Sequence, residues 1–161
     1  VKVMNIIHDS VVDGPGLRTA VFFAGCPHFC KGCHNPASWQ IKNGTDMAVE
    51  EVLEEITSNP LTNVTLTGGE PFFQAMEVCE LAQKIKQLGK NIWVYSGYTF
   101  EYLSHSDDRY QRKLLTICDV LVDGPFILAE RDLTLKFRGS RNQRIIDLSH
   151  IYRKNRELDF Y

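Results

Sequence analysis

The stretch Gly25-Cys26-Pro27-His28-Phe29-Cys30-Lys31-Gly32-Cys33-His34-Asn35-Pro36 constrains this chain more than any other. It sets Cys26, Cys30 and Cys33 in a Cys-x-x-x-Cys-x-x-Cys run on a tight loop, directly after an apolar segment that reads as a strand. Thiolates are soft ligands that select zinc, copper(I) or iron–sulfur centres. A structural zinc site takes four protein ligands, and a cubane 4Fe–4S cluster ordinarily takes four cysteines. A run of three therefore leaves one iron of a cluster without a protein ligand, open to a small molecule that reacts there. Blander readings stand beside this one. His34 or His28 completes a Cys3His zinc site, although His34 directly follows Cys33, where chelation is cramped. Alternatively the cysteines are unligated core residues, against which the aperiodic, Gly- and Pro-rich run speaks.

The rest of the chain supplies a frame for that loop. Residues 1–7 are β-prone, and Asp13-Gly14-Pro15-Gly16 is a turn by composition. Thr19-Ala20-Val21-Phe22-Phe23-Ala24 is a continuous apolar run, the mark of a buried parallel strand. A helix is predicted over residues 45–58, capped by Thr45 or Asp46, with Val49, Val52, Leu53 and Ile56 on one stripe. A strand over 63–67 runs into Gly68-Gly69-Glu70-Pro71, and a second helix covers 72–88, stopped by Gly89. Residues 91–95 form the next strand. A third helix follows, broken near 104–108, then strands at 119–122, 134–137 and 144–146. The stretch 152–156 is charged and reads as loosely held at the end of the chain.

Alternation of strand and helix implies parallel pairing with right-handed crossovers. A complete eight-fold barrel takes about 250 residues, and this chain has 161. The expected fold is α/β, an open partial (β/α)6-type barrel of mostly parallel strands with its mouth exposed, in one domain over residues 1–161. A formal net charge of -2 argues against nonspecific nucleic-acid binding. No apolar run approaches the roughly 20 residues that cross a bilayer, and the first residues lack the composition of a signal peptide. Five cysteines, three of them crowded together, do not resemble a secreted disulfide framework, so a cytoplasmic location is expected.

In a parallel sheet the Gly68-Gly69-Glu70 turn falls on the same edge as the cysteine loop, one strand over. Its glycines permit close backbone approach to a ligand, and Glu70 adds an acceptor. Alone such a turn is more often a plain strand–helix connection. Ser96-Gly97-Tyr98-Thr99 and Asp123-Gly124-Pro125-Phe126 belong on the same rim by the same logic. The basic cluster from Arg138 to Arg144 is a solvated turn, a holder of a cofactor's carboxylate and ribose, or a dock for an acidic patch on a partner. Cys79 and Cys118 lie in apolar surroundings and read as core. His8, His105 and His150 have no partner at ligand spacing.

The cysteine spacing and its flanks resemble the radical S-adenosylmethionine superfamily. Asp13-Gly14-Pro15-Gly16-Leu17-Arg18 before Phe22-Phe23-Ala24-Gly25-Cys26, with Cys33-His34-Asn35-Pro36 after, resembles its glycyl-radical-enzyme activases. Within them, Tyr95 to Thr99, Leu121 to Phe126 and Phe137 to Arg144 are similar to the group that activates an anaerobic ribonucleoside-triphosphate reductase. These motifs run from Asp13 to Arg144. Pyruvate formate-lyase activases share the front half but are longer, and rank second.

The resemblance implies a 4Fe–4S cluster on Cys26, Cys30 and Cys33 and S-adenosylmethionine on its open iron, split reductively to a radical that takes hydrogen from a glycine. It implies that Gly68, Gly69 and Glu70 hold the cofactor's amino group. Ser96, Arg138 and the backbone of Gly32, Cys33 and His34 join them in holding the cofactor. Many superfamily members carry an aromatic residue just before the third cysteine; Gly32 stands there instead, which puts an adenine-stacking contact in doubt. The implied partners are the large anaerobic ribonucleotide reductase subunit and a low-potential electron donor such as a flavodoxin. Neither nucleic acid nor membrane is implied. A zinc- or cluster-bearing module without turnover is the alternative of a different class, and it leaves the Gly68–Glu70 turn without a purpose.

Overall fold

The apolar runs become strands of one sheet in the computed structural model, which describes residues 1–152. In chain order these are β1 (Lys2–Ser10), β2 (Arg18–Phe23), β3 (Thr45–Asp46), β4 (Asn63–Gly68), β5 (Ile92–Tyr95), β6 (Val120–Asp123) and β7 (Arg144–Asp147). The helices are α1 (Val49–Thr57), α2 (Ala75–Gln87), α3 (Phe100–Ser104) and α4 (Arg109–Ile117). Across the sheet the order is β3-β1-β2-β4-β5-β6-β7, with β3 and β7 as unclosed edges. The inner pairings β2–β4, β4–β5 and β5–β6 are parallel. The pairings β1–β2, β1–β3 and β6–β7 are antiparallel. The residues 153–156 noted above lie outside the described residues.

The expected open α/β partial barrel is therefore present, as a seven-stranded sheet with a parallel interior of four strands and antiparallel flanks. Connection length explains the flanks. A parallel return needs a crossover of a dozen or more residues, usually helical. Residues 11–17 are too few for one, and residues 124–143 contain only a short 3-10 turn at Leu128–Glu130. Val21, Phe23, Val64, Leu66, Ile92, Val94 and Leu121 face one side and pack on Val52 and Ile56 of α1, Leu81 and Ile85 of α2, and Leu114 and Leu115 of α4. One sheet face is thus closed by helices and the other left for the interior of the partial barrel.

Two local expectations are corrected. Thr45 and Asp46 do not cap α1, because they pair as β3 with Val3 and Lys2 of β1. The helix begins later, and the Ala48 N–H donates to Glu51 Oε1 at 3.1 Å. Residues 134–137 form no strand. Asp132 Oδ1 accepts from the backbone N–H and the hydroxyl of Thr134, at 2.9 and 2.6 Å, a local turn that competes with strand pairing. Phe137 then sits at φ +62°, outside the extended region, and packs edge-on against Trp93 at 5.4 Å.

The far end of the sheet is pinned by Arg18, 1% exposed. Its guanidinium donates to Thr65 Oγ1 (2.9 Å), Pro15 O (3.1 Å), Val64 O (2.8 Å) and Asn91 Oδ1 (2.8 Å), and lies 5.8 Å from the Trp93 ring centroid. Burial pulls its pKa down to about 10, so it stays cationic at neutral pH. The Asp13-to-Arg18 motif thus has a structural task at the end of β2 opposite the cysteines. Arg18→Met fills the space but strands several buried acceptors, each costing about 1–3 kcal/mol when unpaired. Urea denaturation of this variant is expected to show a loss of about 3 kcal/mol. A loss under ~1 kcal/mol would contradict that role.

Candidate functional site

The parallel strands end together, so the segments that follow them meet on one rim. Phe23 at the end of β2 pairs with Gly68 at the end of β4, and Tyr95 of β5 with Val122 of β6. The cysteine loop, the Gly68–Glu70 turn, the Ser96-Gly97 turn and the Gly124 turn all leave from that edge. The first two are joined by backbone. The Gly69 N–H donates to Phe23 O and the Glu70 N–H to Gly25 O, each at 2.8 Å, one residue before Cys26. Glycine makes the approach feasible. A Cβ on Gly68, at φ +104°, would lie 2.3 Å from the Phe23 nitrogen, and one on Gly69 would lie 2.6 Å from Gly25 O.

Cys26, Cys30 and Cys33 are each half-buried along this loop. The Cys33 N–H donates to Cys30 O at 3.1 Å, and the Asn35 N–H lies 3.4 Å from Cys33 Sγ. Phe29 turns the chain between the first two cysteines at φ +48°, and its ring meets Trp39 edge-on at 5.4 Å. Trp39 O in turn accepts from the Cys26 N–H at 3.1 Å. Burial, with lesser contributions from Glu70, Cys30 and Cys33, pushes the Cys26 thiol up to about 11. Cys79 and Cys118, both 2% exposed, belong to the core as expected.

A three-thiolate donor set on one loop fits a 4Fe–4S cluster, in which each cysteine binds a different iron and the sulfurs need not converge. A single zinc ion needs ligands within about 2.3 Å of one point. Among the described residues no group of three or more His, Cys, Asp or Glu side chains is so arranged. The indole Nε1 of Trp39 is buried without a hydrogen-bond partner beside this loop. A polar group seated there would satisfy it.

The Glu70 side chain, an acceptor by sequence, is already engaged. Fully buried, it accepts at Oε1 from His28 Nε2 (2.6 Å), Ser96 Oγ (2.8 Å) and the Gly97 N–H (2.8 Å), and at Oε2 from the Phe72 N–H (3.1 Å). Ser96 is engaged too, since its hydroxyl also accepts from the Tyr98 N–H at 3.0 Å. Gly32, at φ +79°, and His34 are exposed on the loop, and a Cβ on Gly32 would lie 2.9 Å from Leu128. Arg138 donates to Gln143 O at 2.8 Å and keeps a buried, unpartnered Nε. Trp39 carries no sequence signal as a site residue, and His28, a nominal zinc ligand by sequence, is a partner of the Glu70 carboxylate instead. The signal available for His28 was its place between the first two cysteines, together with a glycine, Gly97, after β5.

Comparison with known proteins agrees with this geometry. Residues 12–146 match the family described as a 4Fe-4S single cluster domain. The anaerobic ribonucleoside-triphosphate reductase-activating protein of Vibrio cholerae is 38% identical over 142 residues, covering 83% of this chain and 89% of that protein. The protein of the same name from Escherichia coli K12 is 32% identical over 142 residues, at 83% and 90% coverage. The one from bacteriophage T4 is 36% identical over 143 residues, at 83% and 86%. Among solved structures, QueE from Escherichia coli superposes with a TM-score of 0.55 at 14% identity, over 98% of this chain and 74% of that one. At that identity the likeness is one of fold.

The raised Cys26 thiol makes the metal-free protein pH-sensitive in a defined direction. Its folded value of about 11 lies above the ordinary 9.0, so the associated stability is present below pH 9 and lost as pH rises through 11. Alkylation of Cys26 by iodoacetamide in the metal-free protein, followed by mass spectrometry, is expected to be slow at pH 8, where about one thiol in a thousand is ionised. It is expected to rise steadily to pH 11. A plateau already at pH 8 would contradict the burial of this thiol.

Proposed function

The chain belongs to the family of anaerobic ribonucleoside-triphosphate reductase-activating proteins, and from that membership we propose that it installs a glycyl radical on the large subunit of an anaerobic ribonucleotide reductase. It is a radical S-adenosylmethionine enzyme. When bound, the 4Fe–4S cluster supplies the single electron that splits the sulfonium of S-adenosylmethionine, the chemistry behind hydrogen abstraction from a glycine Cα. The observation that carries the reading is the three-cysteine loop bonded by backbone to the Gly69-Glu70 turn at the rim of an unclosed sheet.

The chain's own residues then have separate tasks. Cys26, Cys30 and Cys33 hold the cluster and leave its fourth iron free for the cofactor. The backbone of Gly68, Gly69 and Glu70 receives the cofactor's amino group; the Glu70 carboxylate, engaged by four donors, holds the turn in place instead of meeting the ligand. Ser96 supports this turn from the next strand. Arg138, with its unpartnered Nε, takes the carboxylate or ribose. The backbone of Gly32, Cys33 and His34 would hold the adenine. Phe73 and Leu128, which pack on Gly25 and Gly32, shield the loop from water. The unclosed sheet leaves a mouth through which a loop of the reductase enters.

A low-potential donor such as a flavodoxin delivers the electron, and the work takes place in the cytoplasm. Among the described residues no helix is long and apolar enough to cross a membrane.

Anaerobic reconstitution followed by S-adenosylmethionine and dithionite is expected to yield 5′-deoxyadenosine. With an anaerobic ribonucleotide reductase present, a glycyl doublet is expected by EPR. Cys30→Ala is expected to lower 5′-deoxyadenosine formation at least ~100-fold, the scale for losing a metal ligand or its support. Cleavage without a glycyl signal in the reductase, but with one in a pyruvate formate-lyase, would move the substrate to that second class. A colourless protein with stoichiometric zinc would end the radical reading.

A further inference from the structure

His28 occupies the middle of the Cys26–Cys30 segment, points away from the cysteines' own loop, and joins the Glu70 carboxylate 42 positions further along the chain. The company Oε1 keeps decides which group donates. That oxygen already accepts from the Ser96 hydroxyl and the Gly97 N–H, so the proton of the third bond sits on His28 Nε2. The ring is seated as well as bonded. It meets Tyr98 edge-on at 4.5 Å, and Tyr98 stacks on Tyr102 with ring planes 6° apart. Against its other side lies Gly97, where an added Cβ would stand 2.4 Å from the imidazole Cδ2. Gly97 does not lie in the left-handed region, so its lack of a side chain serves the ring and not the backbone.

We propose that His28 is a positioning residue: through Glu70 it latches the cysteine loop to the Gly68–Glu70 and Ser96-Gly97 turns, fixing the open metal corner relative to the groups that receive S-adenosylmethionine. The inference rests on the cluster reading above and adds to it a residue outside the metal ligands. The latch complements the backbone bonds at Gly25. Those hold the base of the loop, whereas His28 holds its crest, next to Phe29, whose φ of +48° is a strained value for a bulky residue. Such a conformation persists when its neighbours over-determine it. His28 on one side and the Phe29–Trp39 contact on the other do so.

The test uses the reconstituted protein and its metal-free form. His28→Phe keeps a ring against Tyr98 and removes the donor. It is expected to retain the wild-type iron content but to bind S-adenosylmethionine about tenfold more weakly, the scale for an outer-shell partner. The readout is the change in the reduced cluster's EPR signal on titration with the cofactor. His28→Gln, which restores an N–H donor, is expected to recover affinity to within about threefold. Gly97→Ala displaces the ring and should match His28→Phe. Adding Gly97→Ala to His28→Ala should cost little more, because the ring it collides with is gone.

In the metal-free protein, amide exchange of residues 69–72 and 96–98 is expected to quicken in His28→Phe and to be restored in His28→Gln. Unchanged cofactor affinity in His28→Phe, or a His28→Gln variant as impaired as His28→Phe, would overturn the proposal, as would additive effects in the double variant. If His28→Phe does not fold, the Gly97→Ala pair decides. If the wild-type protein binds no cluster, the activity reading fails by itself, and the exchange comparison still judges the latch.

Discussion

A carboxylate shut away from water must have its oxygens occupied, and Glu70 is such a group. Its four donors come from different turns: His28 from the segment after β2, Phe72 from its own, Ser96 and Gly97 from the turn after β5. No one of them would offset the cost of burying the charge, so they act as a set. Either all these turns adopt one mutual arrangement or the carboxylate is left short of partners. A site assembled from glycine-rich turns thereby acquires a fixed shape although little of it is regular structure. The Glu70 side chain, an acceptor by sequence, is in this structure the anchor that ties these turns together.

The same economy governs the sheet. Its inner strands run parallel because residues 24–62, 69–91 and 96–119 are long enough to return over one face, and the helices they carry cover that face. The connections 11–17 and 124–143 do not supply such a helix, and the flanks turn antiparallel. Closure into a barrel would need further crossovers, and none is present among the described residues. What remains is a curved sheet with all four parallel strands ending at one edge. Its outer flanks are stitched by side chains, as where Arg144 grips Asp123 and Glu101 together. The chemistry-bearing segments occupy that edge because parallel register leaves no other place for them.

Much of this was legible in the residues. The apolar run before Gly25 gave a buried strand, and the stripe in residues 49–56 and the helical stretch 72–88 gave two of the helices that cover the sheet. The turn at Gly68 announced itself by two glycines after a strand. The parts that escaped were decided by contacts between distant residues. Thr45-Asp46 looks like a helix cap until β1 is beside it to pair with. Residues 134–137 look like a strand until Asp132 claims the Thr134 N–H. Nothing local to His28 distinguishes a metal ligand from a partner of a carboxylate 42 positions away, and Gly97 reads as an ordinary turn glycine until the imidazole stands against it.

The electrostatics of the rim give the arrangement a further reason. Glu70 helps push the Cys26 thiol above its ordinary range, so its charge opposes the thiolate that metal ligation requires. A soft metal overcomes this by taking the thiolate directly and displacing the proton. The remaining repulsion has to be absorbed by the protein. Hydrogen bonds from His28, Ser96 and Gly97 do this where it counts, by concentrating donors on Oε1 of the carboxylate nearest the loop. Carboxylate and cysteines can then be neighbours, and the two turns that must face each other across the open corner are held at the distance that the backbone bonds from Gly69 and Glu70 set.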